Sequence, residues 1–238
     1  MQRQKDQYDV DELSARKRAV TLLVTASSQH AARFVDLCEP FMKRIEQLLM
    51  MPSTTPHERN FLYEAMAALT SVLPADEGLH RLQSFFTPIV KMLIQRVQSL
   101  DQMKFNSIIV AQGNDLQNER NMLRDSVAIV AGVMRRCKTS PYLVESFTEL
   151  TPYIVRLMEF VHGLRADQLP PEYACILEMD GGVREQYLPG RSRKSVPRQS
   201  NKEKARTALM DLRMSLYQVV GALSHFCHQR LSEGCYRC

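Results

Sequence analysis

Apolar residues recur along this chain at spacings of three and four, and no segment alternates convincingly between apolar and polar residues. Spacings of three and four place apolar side chains on one face of an α-helix, whereas a half-buried strand needs a period of two. The composition agrees, because the chain has only 9 glycines, no tryptophan and 13 methionines. We therefore predict an all-α fold.

The same pattern predicts six helices, with approximate ranges 31–49, 58–73, 77–97, 119–136, 142–163 and 203–231. Segment 58–73 carries two apolar stripes at once, which indicates a helix that packs on both sides. Segment 100–115 is predicted to be an inserted loop or a short helix. Apolar residues make up 45% of the 238, enough for a sizeable core, and this excludes overall disorder.

A proline-bearing motif recurs within the predicted helices. It reads Glu-Pro-Phe-Met-Lys-Arg at 39–44, Thr-Pro-Ile-Val-Lys-Met at 87–92 and Thr-Pro-Tyr-Ile-Val-Arg at 151–156. A second motif, Glu-Arg-Asn, begins the segments 58–62 and 119–123. Since proline inside a helix removes a hydrogen bond and collides with the preceding turn, each proline should mark a kink or a short first helix.

Recurring helix pairs of this kind predict a HEAT-type α-solenoid, a single domain of about five helical repeats over residues 1–238. The first two motif prolines are 48 residues apart, near the repeat length of HEAT and armadillo units. The next interval is 64 residues and contains the extra segment 100–115. The alternative is that these similarities are those of any amphipathic all-α domain.

The six cysteines lie far apart compared with those of small disulfide-bonded scaffolds, which indicates reduced thiols in a cytosolic or nuclear protein. No apolar run approaches the roughly 18 residues that a membrane-spanning helix needs. Residues 1–11 are polar and mixed in charge, unlike a signal peptide. We therefore expect neither a membrane span nor secretion.

The basic excess of the chain is concentrated in one place. Segment 190–206 has seven basic residues against Glu203 alone, a net charge of +6, whereas the other 24 basic and 25 acidic residues nearly cancel. Surrounding glycines and prolines predict an exposed loop over about 180–201, inserted before the last long helix. The predicted basic site consists of Arg191, Arg193, Lys194, Arg198, Lys202, Lys204 and Arg206.

Three interpretations of this basic stretch are open. Its cations could bind the phosphates of RNA with a salt-sensitive affinity. Two basic clusters around a polar spacer also resemble a nuclear-import signal. The third interpretation is a solvated insertion without a function of its own. Phosphorylation of Ser192 or Ser195 would reduce the positive charge.

One set of metal-ligand residues occurs at the carboxyl end, with the spacing His-x-x-His, six residues, then Cys-x-x-Cys. His225 and His228 lie one helical turn apart, and a turn back at Gly234 would let Cys235 and Cys238 complete a tetrahedral zinc site. The alternative is two histidines on a helix surface and two cysteines on a frayed end. No phosphate loop, G-x-S-x-G or H-E-x-x-H motif occurs, so we predict no enzyme, no catalytic residues and no cofactor.

Three local patterns carry a resemblance to a known family. Arg18-Ala19-Val20 opens a helix, Phe-Met-Lys-Arg-Ile-Glu-Gln-Leu-Leu at 41–49 closes one repeat, and Leu-Tyr-Glu-Ala-Met-Ala-Ala-Leu at 62–69 opens the next. Segment 17–95 thereby resembles HEAT repeats from the middle of the exportin branch of the importin-beta (karyopherin) superfamily. Within that branch it is most similar to the exportin-five group, which exports microRNA precursors.

The rest of the chain follows the order of that group more loosely, so that the resemblance covers about residues 14–230. It implies a receptor that shuttles between nucleus and cytoplasm and carries hairpin RNA, with protein cargo as a further partner, together with Ran-GTP. The relatives hold double-stranded RNA by shape and phosphate contacts. Complete exportins are several times longer, and the repeats that bind Ran-GTP have no counterpart here, so the resemblance implies a fragment, a partial gene product or a degenerate relative. A helical-repeat scaffold that binds protein partners, without an RNA role, is the alternative.

Overall fold

The computed structural model describes residues 2–111, 113–137, 141–177 and 200–235, with the backbone alone at 2–10, 31, 34, 141–145, 147, 175 and 225–235. These residues form eight α-helices and no strand, which confirms the all-α prediction. The helices are α1 (Gln2–Gln29), α2 (Cys38–Met50), α3 (Pro56–Thr70), α4 (Ala75–Gln98), α5 (Gln102–Ile109), α6 (Asn114–Arg136), α7 (Pro141–His162) and α8 (Asn201–Cys235). Short 3-10 helices occupy Ala31–Leu37, Ala166–Gln168 and Pro171–Leu177.

The helices are arranged in two rows. In the first row α1 packs against α3, α3 against α6, and α6 against α8. In the second row α4 packs against α7, and an ion pair between Arg81 and Glu39 joins α4 to α2. Apart from the short helix α5, the described helices thus alternate between the two rows along the chain. The number of about five helical repeats stays a prediction. The short helix α5 lies against α6, where the sequence indicated an insertion.

All three proline motifs lie on second-row helices. Pro40 is the third residue of α2, where proline is tolerated because the first-turn amides have no partner within the helix. Pro88 and Pro152 lie inside α4 and α7, and both helices continue through them. The recurrence in sequence therefore corresponds to a recurrence of row, while the position within the helix differs between Pro40 and the other two prolines.

The largest departure from the predicted helices is α1. The sequence suggested a helix opening near Arg18, but α1 runs over Gln2–Gln29. Among the described side chains, 11–29, its buried side is narrow, with Val24 and Ser27 buried and Val20 and Leu23 partly covered, so it gives little periodic signal. The predicted helix 31–49 is also shorter, since its first turns are a 3-10 helix that ends at Leu37.

Two apolar clusters hold the rows together. The larger one joins α4, α6, α7 and α8 through residues such as Phe86, Val127, Leu157 and Leu212. The smaller one joins α1, α2 and α3 through Val24, Met42, Ile45, Leu62 and Leu69. In the described part of the chain, no helix is long and apolar enough to cross a membrane.

Two buried thiols lie beside backbone carbonyls at the end of α3. Cys137 Sγ donates to the carbonyl of Ala67 at 3.1 Å, and Cys38 Sγ lies 3.7 Å from the carbonyl of Leu69. These carbonyls belong to the last turn of α3, where a backbone carbonyl has no N–H partner within the helix. Burial raises the pKa of Cys137 to about 11 and also raises the pKa of Cys38, so both thiols stay protonated at neutral pH.

Candidate functional site

The predicted basic loop is divided by the start of α8. Lys202, Lys204 and Arg206 lie on the first two turns of that helix rather than in a loop, and both lysines are exposed. The helix begins here because Ser200 and Glu203 form a capping box: Ser200 N–H donates to Glu203 Oε2 at 2.6 Å, and Glu203 N–H to Ser200 Oγ at 3.2 Å. The remaining predicted cations lie outside the described residues: Arg191, Arg193, Lys194 and Arg198.

The backbone argues against the zinc alternative at the carboxyl end. Helix α8 runs through Gly234 to Cys235, so the turn back that four ligands would need is not formed there. Cys235 follows His228 by seven residues on a continuous helix, a rise of about 10 Å, which separates it from the histidine pair. The side chains of His225 and His228, and all of Cys238, lie outside the described residues. Among the side chains that are described, no cluster of three metal-binding residues occurs.

A polar groove crosses three helices of the first row, and we call it the α3–α6–α8 groove. Its volume is about 380 Å³. It is lined by His57, Asn60, Arg124, Asp125, Ala128, Asp211, Met214 and Ser215.

Two carboxylates and the guanidinium of Arg124 line this groove. Arg124 binds its neighbour Asp125, with Nη2 and Oδ1 2.9 Å apart, and its Nη1 lies 3.9 Å from Asp211 Oδ2. Burial raises the pKa of both carboxyls. Arg124 partly offsets this at both of them and Arg59 does so at Asp125, while the charge of Asp125 raises the pKa of Asp211 further. Asp211 is therefore the less compensated carboxylate, and it suits a cationic group better than a phosphate.

The α3 wall of the groove adds two polar side chains. Burial, with a contribution from Lys17, lowers the pKa of His57, so this imidazole is neutral at neutral pH. Its ring lies 4.7 Å from that of Phe61, centroid to centroid. Asn60 Oδ1 is buried and has no hydrogen-bond partner among the described residues. The wall therefore contributes a neutral ring and an amide acceptor, neither of which carries a charge.

A line of exposed apolar residues adjoins the groove on α8. The core face of this helix carries Leu209, Leu212 and Leu216, whereas the opposite face carries Met210, Met214, Tyr217 and Gly221, which we call the α8 seam. Met214 is 58% exposed and Tyr217 47%.

The seam is anchored at one point and shared with the groove at another. The Tyr217 hydroxyl lies 3.2 Å from His162 Nε2 on α7, which fixes the ring at the edge of the seam. Met214 belongs both to the seam and to the wall of the α3–α6–α8 groove. The groove and the seam therefore form one continuous surface.

Sequence reasoning missed this surface. The predicted helix 203–231 covers these residues, but its apolar series at 210, 214 and 217 was not distinguished from the series that faces the core. That series, at i, i+4 and i+7, was the available signal. Asp125 and Asp211 are far apart in sequence, and only the packing of α6 against α8 brings them to one guanidinium.

Comparison with models of known families, with curated proteins and with solved structures finds no match to this chain.

Proposed function

We propose that this chain is a HEAT-type helical-repeat segment of a nuclear export receptor, an exportin of the importin-beta superfamily and of the exportin-five type. The observation that supports this best is the two-row arrangement in which all three proline motifs fall on second-row helices. A motif that returns to an equivalent place in successive helix pairs is the property of a helical repeat. The family is suggested by the sequence patterns at 18–20, 41–49 and 62–69.

In this proposal the basic stretch 190–206 takes RNA cargo, such as a microRNA precursor, by its phosphates. Lys202 and Lys204, exposed on the first turn of α8, are the described members of that stretch. Contacts of this kind recognise charge and the A-form shape rather than sequence. Ran-GTP would bind to repeats outside this chain, and the receptor would shuttle between nucleus and cytoplasm.

The RNA role is tested with purified protein and a fluorescent hairpin RNA, by anisotropy over a series of salt concentrations. The test variant neutralises Arg191, Arg193, Lys194 and Arg198 to glutamine. Each lost phosphate contact should reduce the slope of log affinity against log salt by about one. We expect the variant to bind more weakly, with a shallower slope.

The matched control neutralises four exposed cations elsewhere, namely Arg18, Arg33, Lys91 and Arg165. The control should keep the slope of the wild-type protein. Equal binding by wild-type protein and test variant, or equal losses in test variant and control, would reject a role for this stretch in RNA binding.

A second function, a scaffold for protein partners, is favoured by a different surface. The α3–α6–α8 groove presents the carboxylate of Asp211, which is about half exposed, and the α8 seam is apolar, so neither suits RNA phosphates. If the chain binds no hairpin RNA while this surface binds a protein helix, the scaffold function holds and the RNA role is lost.

A further inference from the structure

The α8 seam has the geometry of a contact between helices. Met210, Met214, Tyr217 and Gly221 follow the spacing i, i+4, i+7 and i+11, which keeps them in line along one side of the helix. The line is about 16 Å long, since each residue advances the helix by about 1.5 Å. Ridges of side chains at i and i+4 are what a second helix packs against. A narrow, straight apolar line therefore fits a helix better than a flat sheet or a compact small molecule.

Gly221 supports the same conclusion independently. Glycine inside a helix is destabilising relative to alanine, and α8 carries it fourteen residues before its end. A Cβ added at Gly221 would meet nothing within 4 Å, so packing within the described part of the chain does not require a glycine here. A missing side chain in the line of Met214 and Tyr217 leaves a notch, which lets the backbone of another helix approach closely.

The groove beside the seam indicates which charge a helix bound to the seam would carry. Asp211 is on the α8 edge of the groove and about half exposed, and its only ion pair among the described residues is the 3.9 Å contact with Arg124. Asp125 is compensated by Arg124 at 2.9 Å and also by the charge of Arg59, so Asp211 is the less compensated of the two carboxylates. A lysine or arginine of a helix lying on the seam would reach this position and compensate the charge.

The seam also continues an interface already present in the fold. In the first row α6 is covered by α3 on one side and by α8 on the other, whereas α8 is covered by α6 alone among the first-row helices described. Another helix beside α8 would repeat the same mode of packing.

We propose that the α8 seam and the α3–α6–α8 groove together bind a basic amphipathic α-helix of a protein partner. Its apolar residues lie on Met210, Met214 and Tyr217, its backbone approaches at Gly221, and a lysine or arginine lies against Asp211 and Asp125. This proposal does not depend on the RNA role, because it uses none of the cations of segment 190–206.

The test uses the full chain and two synthetic helical peptides of about four turns each. Both carry leucine at i, i+4, i+7 and i+11; one has lysine on the flanking positions and the other has glutamate. Binding is measured by fluorescence anisotropy. We expect the lysine peptide to bind at least about tenfold more tightly than the glutamate peptide.

Three variants locate the binding. Met214→Asp should abolish binding of the lysine peptide. Asp211→Asn should remove most of the preference for lysine over glutamate while leaving the fold intact, because the pKa of this carboxyl is already raised by burial. The matched control is Val155→Asp, which places the same charge at an exposed apolar residue of α7 and should leave binding unchanged.

Three outcomes would overturn the proposal. One is no binding of either peptide, and another is binding that Met214→Asp and Val155→Asp weaken equally. The third is a dimer, seen by sedimentation velocity without peptide, that Met214→Asp dissociates, because the seam would then be an interface between two copies of this chain. Circular dichroism of each variant separates loss of binding from loss of folding.

Discussion

The two ends of the first helix row, α1 and α8, differ in how they are held and in what they expose. Helix α1 is joined to α3 largely by a polar link, in which Arg16 Nε lies 2.8 Å from Glu58 Oε1, and by a narrow apolar edge. Over residues 11–29, the part of α1 whose side chains are described, the exposed face is mainly polar, with Leu13 and Leu22 as its exposed large apolar side chains. Helix α8 is held by a continuous apolar face and exposes a second one.

The two ends of the row therefore suit different neighbours. A polar outer face is stable in water and is what the terminal helix of a repeat array usually presents. An apolar outer face is stable mainly when another surface covers it. The predictions below test this contrast, beginning with the largest expected effect.

The largest effect on stability should come from comparing the buried and exposed faces of α8. Leu216 is fully buried on the core face, so Leu216→Ala should lower the free energy of unfolding by about 2–5 kcal/mol. Met214→Ala, on the opposite face two residues away, should change it by no more than about 0.5 kcal/mol. Urea unfolding of both variants checks this. Similar losses in the two variants would mean that the seam is already covered in solution.

The polar link at α1 should give an intermediate effect. The Glu58 side chain is 4% exposed and that of Arg16 35%, so Glu58→Gln should cost about 1–2 kcal/mol of unfolding free energy. The matched control is Glu12→Gln, since Glu12 is exposed and lies 4.0 Å from the same arginine. It should change stability by less than about 0.5 kcal/mol. Equal effects of the two substitutions would contradict the role of the buried pair.

The ion pair between Arg16 and Glu58 should also make the stability of the protein depend on pH. Burial raises the pKa of Glu58, but hydrogen bonds from Thr55 and Arg16 outweigh it and hold this pKa below its ordinary value of 4.5. A carboxyl whose pKa is lowered by folding stabilises the fold above its unfolded pKa, and that contribution is lost as pH falls through the folded-state pKa. The stability difference between wild type and Glu58→Gln should therefore shrink below about pH 4.5. One unit of pKa difference corresponds to about 1 kcal/mol of stability. A stability difference between wild type and Glu58→Gln that stays constant down to pH 3 would contradict this prediction.

The smallest effect is expected at Gly221. Since a Cβ there meets nothing within 4 Å, Gly221→Ala should stabilise the protein alone by about 0.5–1 kcal/mol. Thermal unfolding measures this. The matched substitution is Gly132→Ala on α6, where a Cβ would lie 3.5 Å from Glu64 Oε2, so its gain should be smaller. A loss of stability at Gly221 would show that this position is packed against another part of the protein.

Much of the fold could be predicted from the sequence, because it is encoded locally. Spacings of three and four gave the helices from α2 onward, and the box formed by Thr55 and Glu58 explains why α3 begins at Pro56. A second capping box, formed by Ser200 and Glu203, marks the start of α8, but the sequence prediction did not use it. Helix α1 was missed as well, because only a narrow edge of it is apolar.

Less of the candidate site could be predicted. The basic stretch is a contiguous property of the sequence, so its charge was evident, but the capping box at Ser200 places its last three cations on a helix. The groove needed tertiary structure, since Asn60, Asp125 and Asp211 come together only when three helices of one row pack side by side.

From the sequence alone it follows that this protein is helical, that proline motifs recur in it, and where its positive charge is concentrated. These are properties of periodicity and composition, which act over a few turns of chain. The packing of the helices is needed to show which helices are neighbours and which of the two apolar series on α8 is buried. Both series have the same helical period, so the choice between them depends on the shape of α6 and α7, against which only one can pack.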